Sequence, residues 1–224
     1  MFKYILFDVD DTLLDFGKCA EFAMQSAFDD FGFYFEHGMF EVFTEINNGL
    51  WLKVESGEIS KDSLFGSRWF TVFEKLDLVG DGNRFEDRFQ KYLNVSSFKI
   101  EGADDILDYL SSKYKIFVAS NAPSGQQQKR LSFAGLAGFI SGYFVSGDFG
   151  VSKPSEEFFA KCLDSIPASA DECIMVGDSL TSDIAGAQSC GINACWFNLK
   201  GKTAHDGISP DYILTSLCDL KNIL

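Results

Sequence analysis

The sequence predicts an α/β fold: a Rossmann-like core on a parallel sheet, with an α-helical bundle inserted after the first strand. Three observations predict it. Short runs rich in Val, Ile and Phe alternate with helix-like stretches from about residue 98 onward, the pattern of a parallel sheet with crossover helices. The N-terminal run at residues 4–7 has the same buried-strand character. Between that run and the alternation, residues 17–95 read as helical throughout. The expected division is a core of residues 1–15 and 97–224, and a helical cap of residues 16–96.

Taken in order, the first strand (Tyr4 to Phe7) stops at an acidic loop. In the helical region, Phe40/Phe43 and Phe70/Phe73 have the spacing of one helix face. Gly32, Gly57 and Gly80 to Gly82 mark the breaks between helices. The aromatics there, among them Phe22, Phe28, Phe31, Trp51 and Phe89, are expected to form the bundle's core rather than to hold a cofactor. Beyond it, helices are expected at 103–113, 125–133, 155–165 and 181–190. Strands are expected at 115–120 (KIFVAS), 143–146 (YFVS), 173–177 (CIMVG) and 193–197 (NACWF).

Composition narrows the function. The 224 residues carry 33 acidic and 19 basic side chains, for a net charge of −14. Binding to nucleic-acid polymers is driven by basic patches, so no such partner is expected. A small anionic substrate needs only a local positive centre, such as a cation, a lysine and helix N-termini. Cys19, Cys162, Cys173, Cys190, Cys195 and Cys218 show no C-x-x-C spacing and read as small hydrophobes of a reducing compartment. His37 and His205 belong to no metal-spaced cluster and read as surface or loop residues. The apolar start is too short for a signal peptide, and no stretch approaches the roughly 20 apolar residues of a spanning helix. The expectation is a cytoplasmic protein with no membrane partner, monomeric or weakly dimeric.

Functional residues of an open parallel sheet gather at the carboxyl ends of its strands. Here those ends carry Asp8-Val9-Asp10-Asp11-Thr12, then Ser120-Asn121, then Ser152-Lys153-Pro154, then Asp178-Ser179 with Asp183 a turn further on. Each piece alone has an ordinary reading as a turn, a helix cap or a solvated lysine. Their joint occurrence at successive strand ends carries the signal. Carboxylates brought together repel by about 4 kcal/mol at ~4 Å and an effective dielectric near 20. Either some are protonated or a cation sits among them. Oxygen ligands with few histidines favour a hard ion, and Mg²⁺ suits best.

In that order, FDVDDT, SN, KP and GDSLTSD resemble the four motifs of the haloacid dehalogenase-like superfamily, over essentially the whole chain. The resemblance implies a Rossmann-like core with a helical cap. It implies that Asp8 is a nucleophile forming an aspartyl-phosphate, and that Asp10 is the general acid and base. Ser120 and Asn121, with backbone N–H groups near Ser120, would take the phosphoryl group, and Lys153 would neutralise charge on it. Mg²⁺ would be held by the Asp8 and Asp178 carboxylates and the Asp10 backbone carbonyl, with Asp183 orienting the metal shell or Lys153. An acid at position 10 sets the chain apart from the superfamily's dehalogenases, phosphonatases and transport ATPases, and implies phosphate-ester chemistry. Asp11 replaces a frequent glycine and is expected to face solvent. FDVDDTLLDF is similar to the branch that includes pyrimidine 5′-nucleotidases. The substrate expected is a nucleoside 5′-monophosphate or another small phosphorylated metabolite. The alternatives are a β-phosphoglucomutase-like phosphomutase and a catalytically silent binding protein.

Overall fold

Six parallel strands in the order β3-β2-β1-β4-β5-β6 form the sheet of the protein's larger unit. They are β1 (Tyr4–Phe7), β2 (Lys115–Ser120), β3 (Gly142–Val145), β4 (Cys173–Gly177), β5 (Asn193–Phe197) and β6 (Tyr212–Leu214). The computed structural model describes residues 1–204 and 207–224. His205 lies outside the described residues. The chain divides into two units, residues 1–16 with 97–224, and residues 17–96.

β1 lies at the centre, in register with β2 (Phe7 opposite Val118) and β4 (Phe7 opposite Val176). A central parallel strand is covered on both faces, so its apolar run is continuous rather than alternating. The pleat sends Ile5 and Phe7 into one core layer and Leu6 into the other. The first layer is covered by α5 (Ala103–Ser111), which contributes Ile106, Leu107 and Leu110. Leu131 of α6 (Gln126–Phe133) joins the same layer. α8 (Glu156–Asp164) covers the second with Phe158, Phe159 and Cys162. α7 (Ser146–Phe149) is a single turn directly after β3. After β4 the chain makes a π-helical turn, Leu180–Ala185, that runs into α9 (Gly186–Ser189). All five expected strands are present. The sixth, β6, has no counterpart in the sequence reading.

The second unit is a helical bundle: α2 (His37–Glu55), α3 (Lys61–Lys75) and α4 (Gly82–Leu93), preceded by α1 (Phe16–Phe31), whose first residue lies in the larger unit. Gly32 and Gly57, both at positive φ (69° and 76°), end α1 and α2 as expected. Ser60 and Asp81 cap α3 and α4 by accepting the backbone N–H groups of Ser63, Asn83 and Arg84. Trp69 is the hub of the core, with ring centroids 4.4 Å from Phe85 and 5.0 Å from both Phe43 and Phe89. Phe73 is buried, but Phe70 is 46% exposed. The Phe70 ring lies over Gly82, where any Cβ would meet it at 2.8 Å, so it packs on one face and leaves the other to solvent. Inside the bundle, Arg68 pairs with Glu86 through Nε and Nη2 and donates from Nη1 to Asn47. Among the described residues, no helix is long and apolar enough to cross a membrane.

Candidate active site

The carboxyl ends of β1, β2 and β4, with the loop after β3, bring the motif residues together. Lys153 is the centre, 2% exposed. Its Nζ donates to Asp8 Oδ1 at 2.7 Å, to Asp183 Oδ1 at 2.6 Å and to the Ala119 carbonyl at 2.6 Å. Three acceptors match the three hydrogens of an ammonium. Burial alone would lower the lysine's pKa, but the Asp183 and Asp8 carboxylates outweigh it and raise it, so the group stays charged.

Asn121, expected on the phosphoryl group, also binds the backbone of Lys153. Its amide donates to the Lys153 carbonyl and accepts from the Lys153 N–H, each at 2.9 Å. Both ends of the side chain thus fix the lysine's backbone, next to a cis Lys153–Pro154 peptide. Ser120 ends β2 and is 2% exposed. Its Oγ accepts from the Ala122 N–H at 3.3 Å and from Gln127 Nε2 at 3.1 Å.

Asp183 lies in the π-helical turn. Its Oδ2 accepts from the Ser179 N–H at 3.0 Å, and Ser179 Oγ caps the Ser182 N–H. Asp183 packs against the end of β4 so closely that a Cβ on Gly177 would stand 2.2 Å from Oδ2. The Asp178 carbonyl accepts from the Trp196 indole at 2.8 Å, which fixes the loop beyond the strand.

One carboxylate oxygen from each of Asp8, Asp178 and Asp183 lies within 4.8 Å of the others. Burial raises the pKa of Asp8 well above its usual range, against the opposing pull of Lys153. Burial, then Asp183 and Asp11, push Asp178 up to about 7. One lysine does not balance three carboxylates, so the donor set suits a hard divalent cation.

Asp10 turns its carboxylate elsewhere. Oδ1 accepts from Arg130 Nη1, and Oδ2 accepts from Gln127 Nε2 at 2.8 Å. The sequence reading missed both partners. They sit in the polar run QQQKR, where only the helical phase shared with buried Leu131 marks an inward face. Asp11 also departs from expectation. It holds φ +57°, the left-handed region that favours glycine. Its side chain accepts from the Phe16 N–H at 3.0 Å and pairs with Lys200 at 3.1 Å, instead of simply facing water. His37 is exposed at the start of α2 and pairs with Glu21.

Residues 2–191 match the family of haloacid dehalogenase-like hydrolases. The chain belongs to this family. It is 34% identical over 224 residues to the HAD-hydrolase YfnB of Bacillus subtilis, covering 100% of this chain and 95% of YfnB. It is 32% identical over 230 residues to the pyrimidine 5′-nucleotidase PynA of Streptococcus pneumoniae, covering 100% and 97%. A crystal structure of magnesium-bound YfnB matches with a TM-score of 0.95 and 33% identity, covering 100% of this chain and 98% of that one. As a member of this hydrolase family, the chain is an enzyme.

Proposed function

We propose that the protein is a Mg²⁺-dependent phosphomonoesterase acting on a small phosphorylated metabolite, with a nucleoside 5′-monophosphate the leading substrate. The observation that carries this reading is Lys153 shared between Asp8 and Asp183, beside the three-carboxylate cluster. Asp8 is the nucleophile. Lys153 holds its Oδ1, and Oδ2 takes no hydrogen bond from the described residues. Oδ2 forms a bond to phosphorus while the ester P–O bond breaks. The leaving oxygen takes its proton from the Asp10 carboxyl group. Water then gives a proton to the Asp10 carboxylate and attacks phosphorus, releasing inorganic phosphate and restoring Asp8. Ser120 and the adjoining backbone N–H groups of the strand end receive the phosphoryl oxygens, and Lys153 balances their charge.

The residues that would hold Mg²⁺ are Asp8 and Asp178 through their carboxylates and Asp10 through its carbonyl, with Asp183 orienting Lys153. When bound, the ion supplies positive charge against the phosphoryl oxygens. The pyrimidine 5′-nucleotidase and the magnesium-bound relative support the substrate class and the metal. In this reading residues 16–96 are the helical cap domain.

The test is phosphate release with Mg²⁺ across nucleoside monophosphates and sugar phosphates, with Asp8→Asn as control. Metal-dependent release absent from the variant is expected, greatest for a pyrimidine nucleotide. Release by Asp8→Asn at the wild-type rate would sink the mechanism.

A further inference from the structure

Gln127 and Arg130 stand one turn apart on α6 and are 0% and 1% exposed. A buried guanidinium needs partners of good geometry. These two side chains form a joined set. Arg130 Nη1 donates to Asp10 Oδ1 and to Gln127 Oε1 (3.1 Å), while Gln127 Nε2 donates to Asp10 Oδ2 (2.8 Å) and Ser120 Oγ (3.1 Å). Both oxygens of Asp10 therefore accept from the same helix. The Asp10 side chain is 35% exposed, so its packing alone does not fix its torsions. Through Gln127 the same set reaches Ser120, at the end of the neighbouring strand.

We infer that Gln127 and Arg130 are positioning residues that aim the Asp10 carboxylate at the reacting phosphoryl group and keep it in register with Ser120. This rests on the phosphomonoesterase reading, because Asp10 has a proton to move only if that reading holds. α6 thereby becomes a working part of the site rather than a cover for the sheet. The pair acts through Asp10 and moves no proton itself. Arginine suits the task because Nη1, fixed in the guanidinium plane, donates to Asp10 and to Gln127 at once, a set direction that a freely rotating ammonium lacks.

The test is a double-mutant cycle. Arg130→Lys keeps the charge and loses the planar Nη1 group that serves both Asp10 and Gln127, and Gln127→Met keeps the volume and loses the donor. Each is made alone and in an Asp10→Asn background, checked by thermal melting, and assayed for single-turnover phosphate release. Each single variant is expected to lower the rate by roughly 10–100-fold, the scale of a misplaced catalytic group, with little change in KM. In the Asp10→Asn background the same changes are expected to cost no more than about 2-fold. Equal losses in both backgrounds, in variants that melt like the wild type, would overturn the inference and leave the pair a packing element of α6. An inert wild-type enzyme would overturn the phosphatase reading and this inference with it. Additive losses in an active enzyme overturn this inference alone.

Discussion

Lys153 spends all three ammonium hydrogens inside the protein, on Asp8, Asp183 and the Ala119 carbonyl. Removing one partner of a buried ion pair costs about 3–5 kcal/mol, because the charge left behind has no water. Lys153→Met should lose stability on that scale in urea unfolding without metal, and Mg²⁺ should restore part of it, since a ligand of the folded state stabilises it. Wild-type stability in the variant would contradict the buried pair. Gly177 is a second sensitive residue, because a Cβ there stands 2.2 Å from Asp183 Oδ2. Asp183 is held by both Ser179 and Lys153 and has nowhere to move. Gly177→Ala should therefore cost roughly 1–3 kcal/mol of overpacking strain and lower turnover by displacing Asp183. Thermal melts and phosphate release measure the two effects.

Asp178 supplies the pH dependence at this scale. Its pKa is pushed up to about 7 from an ordinary 3.8, by burial, Asp183 and Asp11. The folded protein then binds this proton more tightly than the unfolded chain, so stability falls as pH rises between the two values and levels off above the higher one. Mg²⁺ binds the carboxylate form, so its stabilising effect should grow over the same window. Melts at a series of pH values from about 5 to about 8, with EDTA or Mg²⁺, check the sign. A metal-free protein that grows steadily more stable across that range would contradict it.

Among the elements, α3 and α4 of the inserted bundle are tied by a buried ion pair, with Asn47 as a further buried polar partner. Arg68 and Glu86 are 2% and 7% exposed, and the Arg68 guanidinium lies 5.0 Å from the Phe89 ring centroid. Breaking such a pair is costly, while replacing both members by apolar groups is often neutral. Arg68→Met alone should destabilise by about 3–5 kcal/mol, and Arg68→Met with Glu86→Leu should recover most of the loss. Urea unfolding of the three proteins decides it. If the double variant is no better than the single, burial of the pair is not the source of the cost.

What could be read at this scale differed by element. β1, β2, β4 and β5 were legible to the residue because central parallel strands are continuous apolar runs bounded by polar residues. β6 was not, because Tyr212–Leu214 is a three-residue edge strand with Ile213 55% exposed. Asp8, Asp10 and Asp178 stood out because each comes just after such a strand, and Ser120 because it ends one. Gln127 and Arg130 were hidden because their polarity reads as surface, and only tertiary packing turns that face of α6 inward. Asp11 was misread for a related reason. Its pairing with Lys200 depends on chain that follows β5, far away in sequence.

At the scale of the whole molecule, the net charge of −14 opposes the approach of any phosphorylated substrate. The site answers with local positive charge, Lys153 and Arg130 among it, inside a negative field. The Debye length shortens from about 30 Å at 0.01 M to about 8 Å at 0.15 M salt, which screens the distant charges and spares the buried ones. Raising ionic strength over that range should therefore raise kcat/KM for an anionic substrate at saturating Mg²⁺, chiefly through KM. A steady fall would show that attraction by the site's own cations dominates the encounter.

The central claim is that Asp8 carries the phosphoryl group between substrate and water. The most direct measurement is mass spectrometry of the acid-quenched enzyme during turnover with Mg²⁺ and its best substrate. A single phosphoryl adduct is expected on the tryptic peptide spanning residues 4–18, removed by hydroxylamine and absent from Asp8→Asn. Sustained turnover with no adduct at any time after mixing, or an adduct on another peptide, would contradict the account.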